Sequence, residues 1–256
     1  MGAPIISETA GEVTVLRMEH GRANALDLEL LEALSAALGG LREAPAVVLT
    51  GTGGIFSAGV DLFQVVDGGR PYLDRLLPAL RRTFELLMEF PRPLVAAVNG
   101  HAIAGGCVLV ETADQRVMAD GSGTIGVTEV LVGVPFAVGA LEILRFGAGP
   151  RGFGRLILRG ETVTAREALE LGLVDEVADP AAVLDRSVEL ALSLAAIPPR
   201  SFEQLKAGLR RPFWQAVGDR AAGFDAGIDE TWKSDRVLAA IASYVEGIRS
   251  RRGGSS

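Results

Sequence analysis

The stretch NGHAIAGGCVLVETAD, residues 99–114, places an apolar side chain, Val108, one residue beyond a Gly-Gly-Cys turn. A glycine turn from strand into helix leaves the first helical N–H groups without intrahelical acceptors, so it can present backbone donors to a cleft. The same arrangement occurs earlier: GTGGIFSAGVDL, residues 51–62, follows the apolar run AVVLT of residues 46–50. A strand, a glycine turn and a helix start therefore occupy 47–62 and again 95–110. Such a recurrence predicts a chain wound from repeated units.

Working outward, residues 5–7 and 13–18 read as short strands around a Gly11 turn, and Asp27 opens an amphipathic helix that Gly39-Gly40 stops after Leu38. A helix over 72–90 and a buried strand over 94–98 follow, with strand-like pieces at 116–119 and 124–127. These elements predict a right-handed β-β-α winding. From Pro180 onward the pattern is helical, at 181–195, 201–211 and 237–248, punctuated by Pro198-Pro199 and Pro212. Trp214, Phe224 and Trp232 in this part either close the core or form a subunit interface. The expected division is a core over 1–195, a helical region over 196–250 and a disordered tail over 251–256.

Composition narrows the function. With 48% hydrophobic residues the chain supports a real core, and its 32 glycines, lying between apolar runs without a three-residue period, argue for tight turns. A formal charge of −7 and no basic block beyond Arg249, Arg251 and Arg252 argue against nucleic-acid binding. Asn99-Gly100 and His101 break the longest apolar run, so no membrane span is expected. A lone Cys107, with no CxxC pair, fits a reducing, cytoplasmic setting and offers no zinc site.

The glycine turns carry the chemistry. No Gly-Lys-Ser/Thr follows Gly51-Thr-Gly-Gly54, and the dinucleotide spacing fails at Phe56, so a nucleotide loop is disfavoured. Ser57 and His101 lack a GxSxG elbow, which removes a hydrolytic triad and leaves His101 as a pocket wall. Two glycine-turn N–H groups converging on one carbonyl oxygen would form an oxyanion hole. The plainer use of these glycines is positive-φ geometry alone.

FSAGVDL, residues 56–62, and NGHAIAGGCVLV, residues 99–110, resemble the two signature turns of the crotonase superfamily, the enoyl-CoA hydratase/isomerase family. The resemblance runs from GRANAL, residues 21–26, through RGETVTAREALELGLVDEV, residues 159–177. It implies an α/β fold, a crotonase-like β-β-α spiral whose C-terminal helical region assembles trimers, often paired into hexamers. It implies oxyanion donors at the Val60 and Gly105 N–H groups. The CoA-contacting positions it implies are Arg22, Ala23 and Ala25, then Ala58, Gly59, Val60, Asp61 and Leu62, with Gly105 and Thr128 nearer the reacting group. The implied partner is an acyl-CoA thioester, with no metal and no cofactor apart from the CoA carried by the substrate. Asp61 is also expected to cap the helix that follows it.

Hydratases of the family hold water between two glutamates. The first matches Val108 here, and the second matches Glu129, set among Val127, Val130, Val132 and Phe136. Such apolar neighbours raise a carboxyl toward the range of a general base. The segment around these residues is similar to Δ3,Δ2-enoyl-CoA isomerases, which share the apolar residue and the lone glutamate, and IPPRSFEQLKAGLRR, residues 197–211, is similar to the same branch. Thr128 departs from the asparagine usual there. The implied reaction moves a 3-enoyl double bond to the 2-position with Glu129 as proton shuttle. The alternatives are hydration with Glu111, about 5 Å along the helix from Val108, or another acid in place of the missing glutamate, and acyl-CoA binding without catalysis. Phe63, Val65, Val66, Tyr72 and Leu76 are expected either to line an acyl tunnel or to lie in the core.

Overall fold

In the computed structural model, which describes residues 2–253, the strands form a large sheet and a small one, and the turns at Gly59 and Gly105 follow two strands of the small sheet. Strands β1 (Ile5–Ala10) and β2 (Val13–Met18) pair antiparallel around Gly11. Strands β3 (Ala46–Thr50), β5 (Leu94–Val98), β7 (Gln115–Ala119) and β10 (Glu176–Ala178) then add in parallel, in the order β1-β2-β3-β5-β7-β10. A second sheet has β4 (Ile55–Ser57), β6 (His101–Ile103), β8 (Thr124–Gly126) and the antiparallel β9 (Thr162–Thr164). Each of the pairs β3/β4, β5/β6 and β7/β8 contributes one strand to each sheet, which is the expected spiral.

Period-2 alternation decides which core each strand residue enters. Val13, Val15, Ala46, Val48, Val95, Ala97, Val117 and Ala119 face α7 (Val183–Ala195), packing with its Val183 and Ala191. Their chain neighbours Leu16, Met18, Val47, Leu49, Ala96 and Met118 face the main core instead. The large sheet is thus buried on both sides, as parallel sheets are.

Helix α1 (Leu28–Gly40) starts where expected, its Leu30 N–H donating to the Asp27 side chain at 2.9 Å. The helix expected over 72–90 starts earlier: α2 (Leu62–Glu89) is capped by Asp61, which accepts from the N–H groups of Phe63 and Gln64. Gly69, at φ 55°, breaks it, and Pro71 restarts the second part near its first turn, where a missing N–H is tolerated. Helix α3 (Gly105–Glu111) follows β6, and α4 (Val138–Gly147), α5 (Gly149–Arg159) and α6 (Ala165–Leu171) connect to the C-terminal helices.

The break expected at Pro212 does not occur, and α8 (Pro199–Trp232) continues through it. Arg210 and Phe213, each 2% exposed, hold the helix on both sides of the proline, so tertiary packing overrides the lost bond. The Arg210 guanidinium donates to the carbonyls of Leu87, Met88 and Thr112 and to Asp114, satisfying the C-terminal ends of α2 and α3. Lys206 shares Asp114 at 2.6 Å. Helix α9 (Asp235–Gly253) runs three residues into the stretch expected to be tail, and 254–256 lie outside the described residues. Among the described residues no helix is long and apolar enough to cross a membrane.

Candidate active site where the two glycine turns meet

The first turn is held from residues 20–26. Asn24, itself at φ 46°, donates its amide to the carbonyls of Ile55 and Phe56, and Ser57 Oγ donates to the Asn24 carbonyl at 2.7 Å. The Leu26 N–H donates to the Gly59 carbonyl at 2.8 Å, and the Asp61 N–H donates to the Leu26 carbonyl at 3.1 Å. These two bonds straddle Val60 and leave its N–H unused.

The second turn presses directly on the first. A Cβ on Gly59, at φ 78°, would lie 2.7 Å from Ala104 Cβ, 2.8 Å from the Ile103 carbonyl oxygen and 2.9 Å from Gly105 N. Ala104 takes φ 56° and ψ −127°, a conformation that costs a residue with a Cβ of order 1–3 kcal/mol. That strain turns the Gly105 N–H out of β6 at the start of α3. Among the described residues, neither the Val60 nor the Gly105 N–H donates a hydrogen bond within the chain, and a Cβ on Gly105 would stand 3.8 Å from Val60 N. Two free donors this close suit a single carbonyl oxygen.

Two cavities border these turns. The outer one, about 520 Å³, is lined by Arg22, Ala23, Ala25, Ala58, Val60, Asp61, Leu62, Thr128 and Glu129. The inner one, about 70 Å³, is lined by Val60, Gly105, Val108 and Glu129 among others. Val60, Glu129 and Trp232 belong to both. Gly59 lines neither cavity: its place is the close approach to Ala104 and Gly105. Arg22 is exposed at the outer cavity, positioned to meet an anionic group.

Glu129 opens a short 3-10 turn (Glu129–Val132). Its Oε2 is buried and accepts no hydrogen bond. Burial pushes the carboxyl up to about 7, against a smaller opposite pull from the Glu129 and Thr128 backbone N–H groups. Glu111 lies elsewhere: it lines neither cavity, is fully buried, and accepts from the Arg116 guanidinium at 2.6 Å. Arg116 also grips Asp175, so Glu111 belongs to a structural ion network. Burial raises the Glu111 carboxyl, and Arg116 works against that rise.

Several expected roles change. His101 is not a pocket wall: its Nδ1 accepts the Thr124 N–H at 3.2 Å, and it lines no cavity at this site. Of the acyl-tunnel candidates, Phe63 lines the outer cavity, Val65 and Leu76 are fully buried core, and Val66 and Tyr72 pack against that core. The inner cavity instead meets Leu77, Leu80, Arg81 and Phe84, the face of α2 at i, i+3, i+4 and i+7. Sequence reading also passed over His20, Tyr244 and Ile248, which line the outer cavity. Trp232 lines both cavities and donates Nε1–H to the Pro135 carbonyl, bracing the segment after Glu129. Trp214 and Phe224 remain 36% and 50% exposed.

His20, Asp27 and Glu29 bring possible metal-ligand atoms within 4.8 Å of one another. Asp27 already accepts from the Leu30 N–H and the Gln64 amide and pairs with His20 at 2.7 Å, so its oxygens are committed to protein groups.

The profile of the enoyl-CoA hydratase/isomerase family matches residues 8–250. A putative enoyl-CoA hydratase of Thermus thermophilus is 39% identical over 203 residues, 77% of this chain and 79% of that protein. A crystal structure of a probable enoyl-CoA hydratase from Mycobacterium tuberculosis superimposes with TM-score 0.82 at 29% identity, covering 88% of this chain and 95% of that one. Human mitochondrial Δ3,Δ2-enoyl-CoA isomerase superimposes with TM-score 0.91 at 25% identity, covering 97% and 99%.

Proposed function

Because this chain belongs to the enoyl-CoA hydratase/isomerase family, we propose that it is a Δ3,Δ2-enoyl-CoA isomerase working with one carboxylate. The observation that carries this reading is the lining of the inner cavity: Val108 stands where a second glutamate would be needed, and Glu129 is the carboxylate that reaches both cavities. Glu111, the acid one turn along the helix from Val108, is bound to Arg116 outside them.

The thioester carbonyl accepts from the Val60 and Gly105 N–H groups, which lowers the cost of enolate formation at the adjacent carbon. Ionised Glu129 removes a proton from C2, the electrons spread into a dienolate, and the same carboxyl returns the proton at C4. The double bond has moved from position 3 to position 2, and neither water nor a separate cofactor enters the balance. The CoA part lies in the outer cavity beside Arg22, Ala23, Ala25, Ala58, Asp61 and Leu62, with Thr128 next to the acid, and the acyl part enters the inner one. The exposed apolar residues Leu205, Leu209, Trp214 and Phe224 on α8 support assembly as a homotrimer or hexamer. Light scattering that finds a monomer removes the assembly.

The deciding experiment supplies 3-enoyl-CoA and, separately, 2-enoyl-CoA. Formation of the conjugated thioester without 3-hydroxyacyl-CoA supports the isomerase. Efficient hydration of 2-enoyl-CoA replaces it with a hydratase, and binding without α-proton exchange in deuterated water replaces it with a binding protein.

A further inference from the structure

Val108, Phe136, Ala140 and Ile143 give the inner cavity much of its apolar lining. It also carries charge from four residues that do not line the outer cavity: Arg81 and Glu85 from α2 meet Asp225 and Asp229 from α8. Arg81 is held bidentately by Asp229, at 2.7 and 2.9 Å, so its charge is matched. Asp225 accepts the Val138 N–H with one oxygen, at 2.9 Å. Among the described residues, its other oxygen and the whole Glu85 carboxylate accept no hydrogen bond. Both are acceptors only when ionised. Burial and the neighbouring Asp225 and Glu89 raise Glu85, with Arg81 opposing them, as expected for a carboxylate lacking a donor.

We propose that the acyl chain this site prefers ends in a hydrogen-bond donor, a terminal or near-terminal hydroxyl group, received by Glu85 and Asp225 beside the Arg81–Asp229 pair. A terminal methyl would leave those carboxylates unmet as water is displaced, and a terminal carboxylate would meet three acids against one guanidinium already engaged. This inference rests on the reading of the inner cavity as the acyl chamber and names the substrate class of that same site.

The test compares 3-enoyl-CoA thioesters of matched length, at several lengths, ending in methyl, hydroxyl or carboxylate, with wild-type protein and with Glu85→Gln. At the best length, kcat/KM for the hydroxyl-ended substrate is expected about tenfold above the methyl one, the size of one hydrogen bond to a charged group, with the carboxylate below both. In Glu85→Gln the hydroxyl-to-methyl ratio falls toward one. Equal use of methyl and hydroxyl ends at every length, or preference for carboxylate, overturns the proposal while leaving the isomerase standing. If no substrate is turned over, the isomerase reading falls instead. Titration calorimetry with the corresponding saturated acyl-CoAs then decides the specificity alone: hydroxyl-ended ligand binding tightest supports it, and a flat order or carboxylate first overturns it.

Discussion

Val108 and Glu129 line the same inner cavity, and of the two only Glu129 can hold a proton. Val108 is 1% exposed and fully apolar, so this wall of the chamber has no group to activate a water molecule. In the proposed reaction the carboxyl that removes the proton also returns it. Glu129→Gln keeps the shape and removes the base. Isomerisation is expected to fall about 10²–10⁴-fold in kcat, the usual worth of a general base. Calorimetry with a saturated acyl-CoA should show binding retained, separating lost chemistry from lost affinity.

The Glu129 carboxyl at about 7 sets the pH dependence. The base must be ionised, so kcat/KM is expected to rise with pH, with a midpoint near 7 that disappears from the residual rate of Glu129→Gln. Stability runs the other way. A carboxyl raised by burial favours the folded state below its ordinary range, and that contribution is lost as pH rises through about 7. Melting curves of Glu129→Gln should lie above wild type at pH 9 and converge with it near pH 4.

Gly59 sits where a Cβ would strike the backbone of the second glycine turn, 2.9 Å from Gly105 N. Gly59→Ala must move one oxyanion donor relative to the other and strain a positive φ. The expected result is a kcat loss of about 10²–10³ and a stability loss of about 1–3 kcal/mol, read by steady-state kinetics and thermal melting. A variant with full kcat would show that the two N–H groups do not act together.

Val108→Glu places a second carboxyl in the same chamber as Glu129. Hydration of 2-enoyl-CoA, expected to be absent from wild type, is expected to appear as 3-hydroxyacyl-CoA. Melting temperature falls because the new group enters an apolar wall without a donor, at a cost of about 1–3 kcal/mol.

Glu111 tests the opposite case. Glu111→Gln removes one partner of buried Arg116, which keeps its two bonds to Asp175. Stability should drop by about 1–3 kcal/mol, while the folded variant retains isomerisation within a few-fold of wild type. A collapse of turnover at unchanged KM would place Glu111 in the reaction.

Much of the fold was legible because its signals are local. The unbroken apolar runs of β3 and β5 showed buried strands, Asp27 and Asp61 announced helix starts through their short acceptor side chains, and each glycine turn appeared as a strand pattern stopping at residues without Cβ atoms. Pro212 shows where local reading stops. Its cost to a helix is a local property, but the anchoring of Arg210 and Phe213 that absorbs this cost comes from α2, α3 and the core. The lining of the inner cavity was missed for a related reason. Helix α2 is apolar on more than one face, and periodicity does not say whether the face with Val65 and Leu76 or the face with Leu77 and Phe84 borders empty space.

By itself, then, the sequence determined the two repeated strand–turn–helix units, the helical character after Pro180 and the absence of an acid at Val108, since these depend on residue type and near neighbours. The tertiary structure alone decided the roles of the remaining acids. Glu129 and Glu111 are both buried carboxyls raised by desolvation. Each keeps one buried oxygen without a donor, and what separates them is that Arg116, held by Asp175 from 59 residues further along the chain, reaches the other oxygen of Glu111, while Glu129 lines both cavities. In a low-dielectric interior a carboxyl's chemistry follows from the groups folded against it, and those groups come from distant parts of the chain.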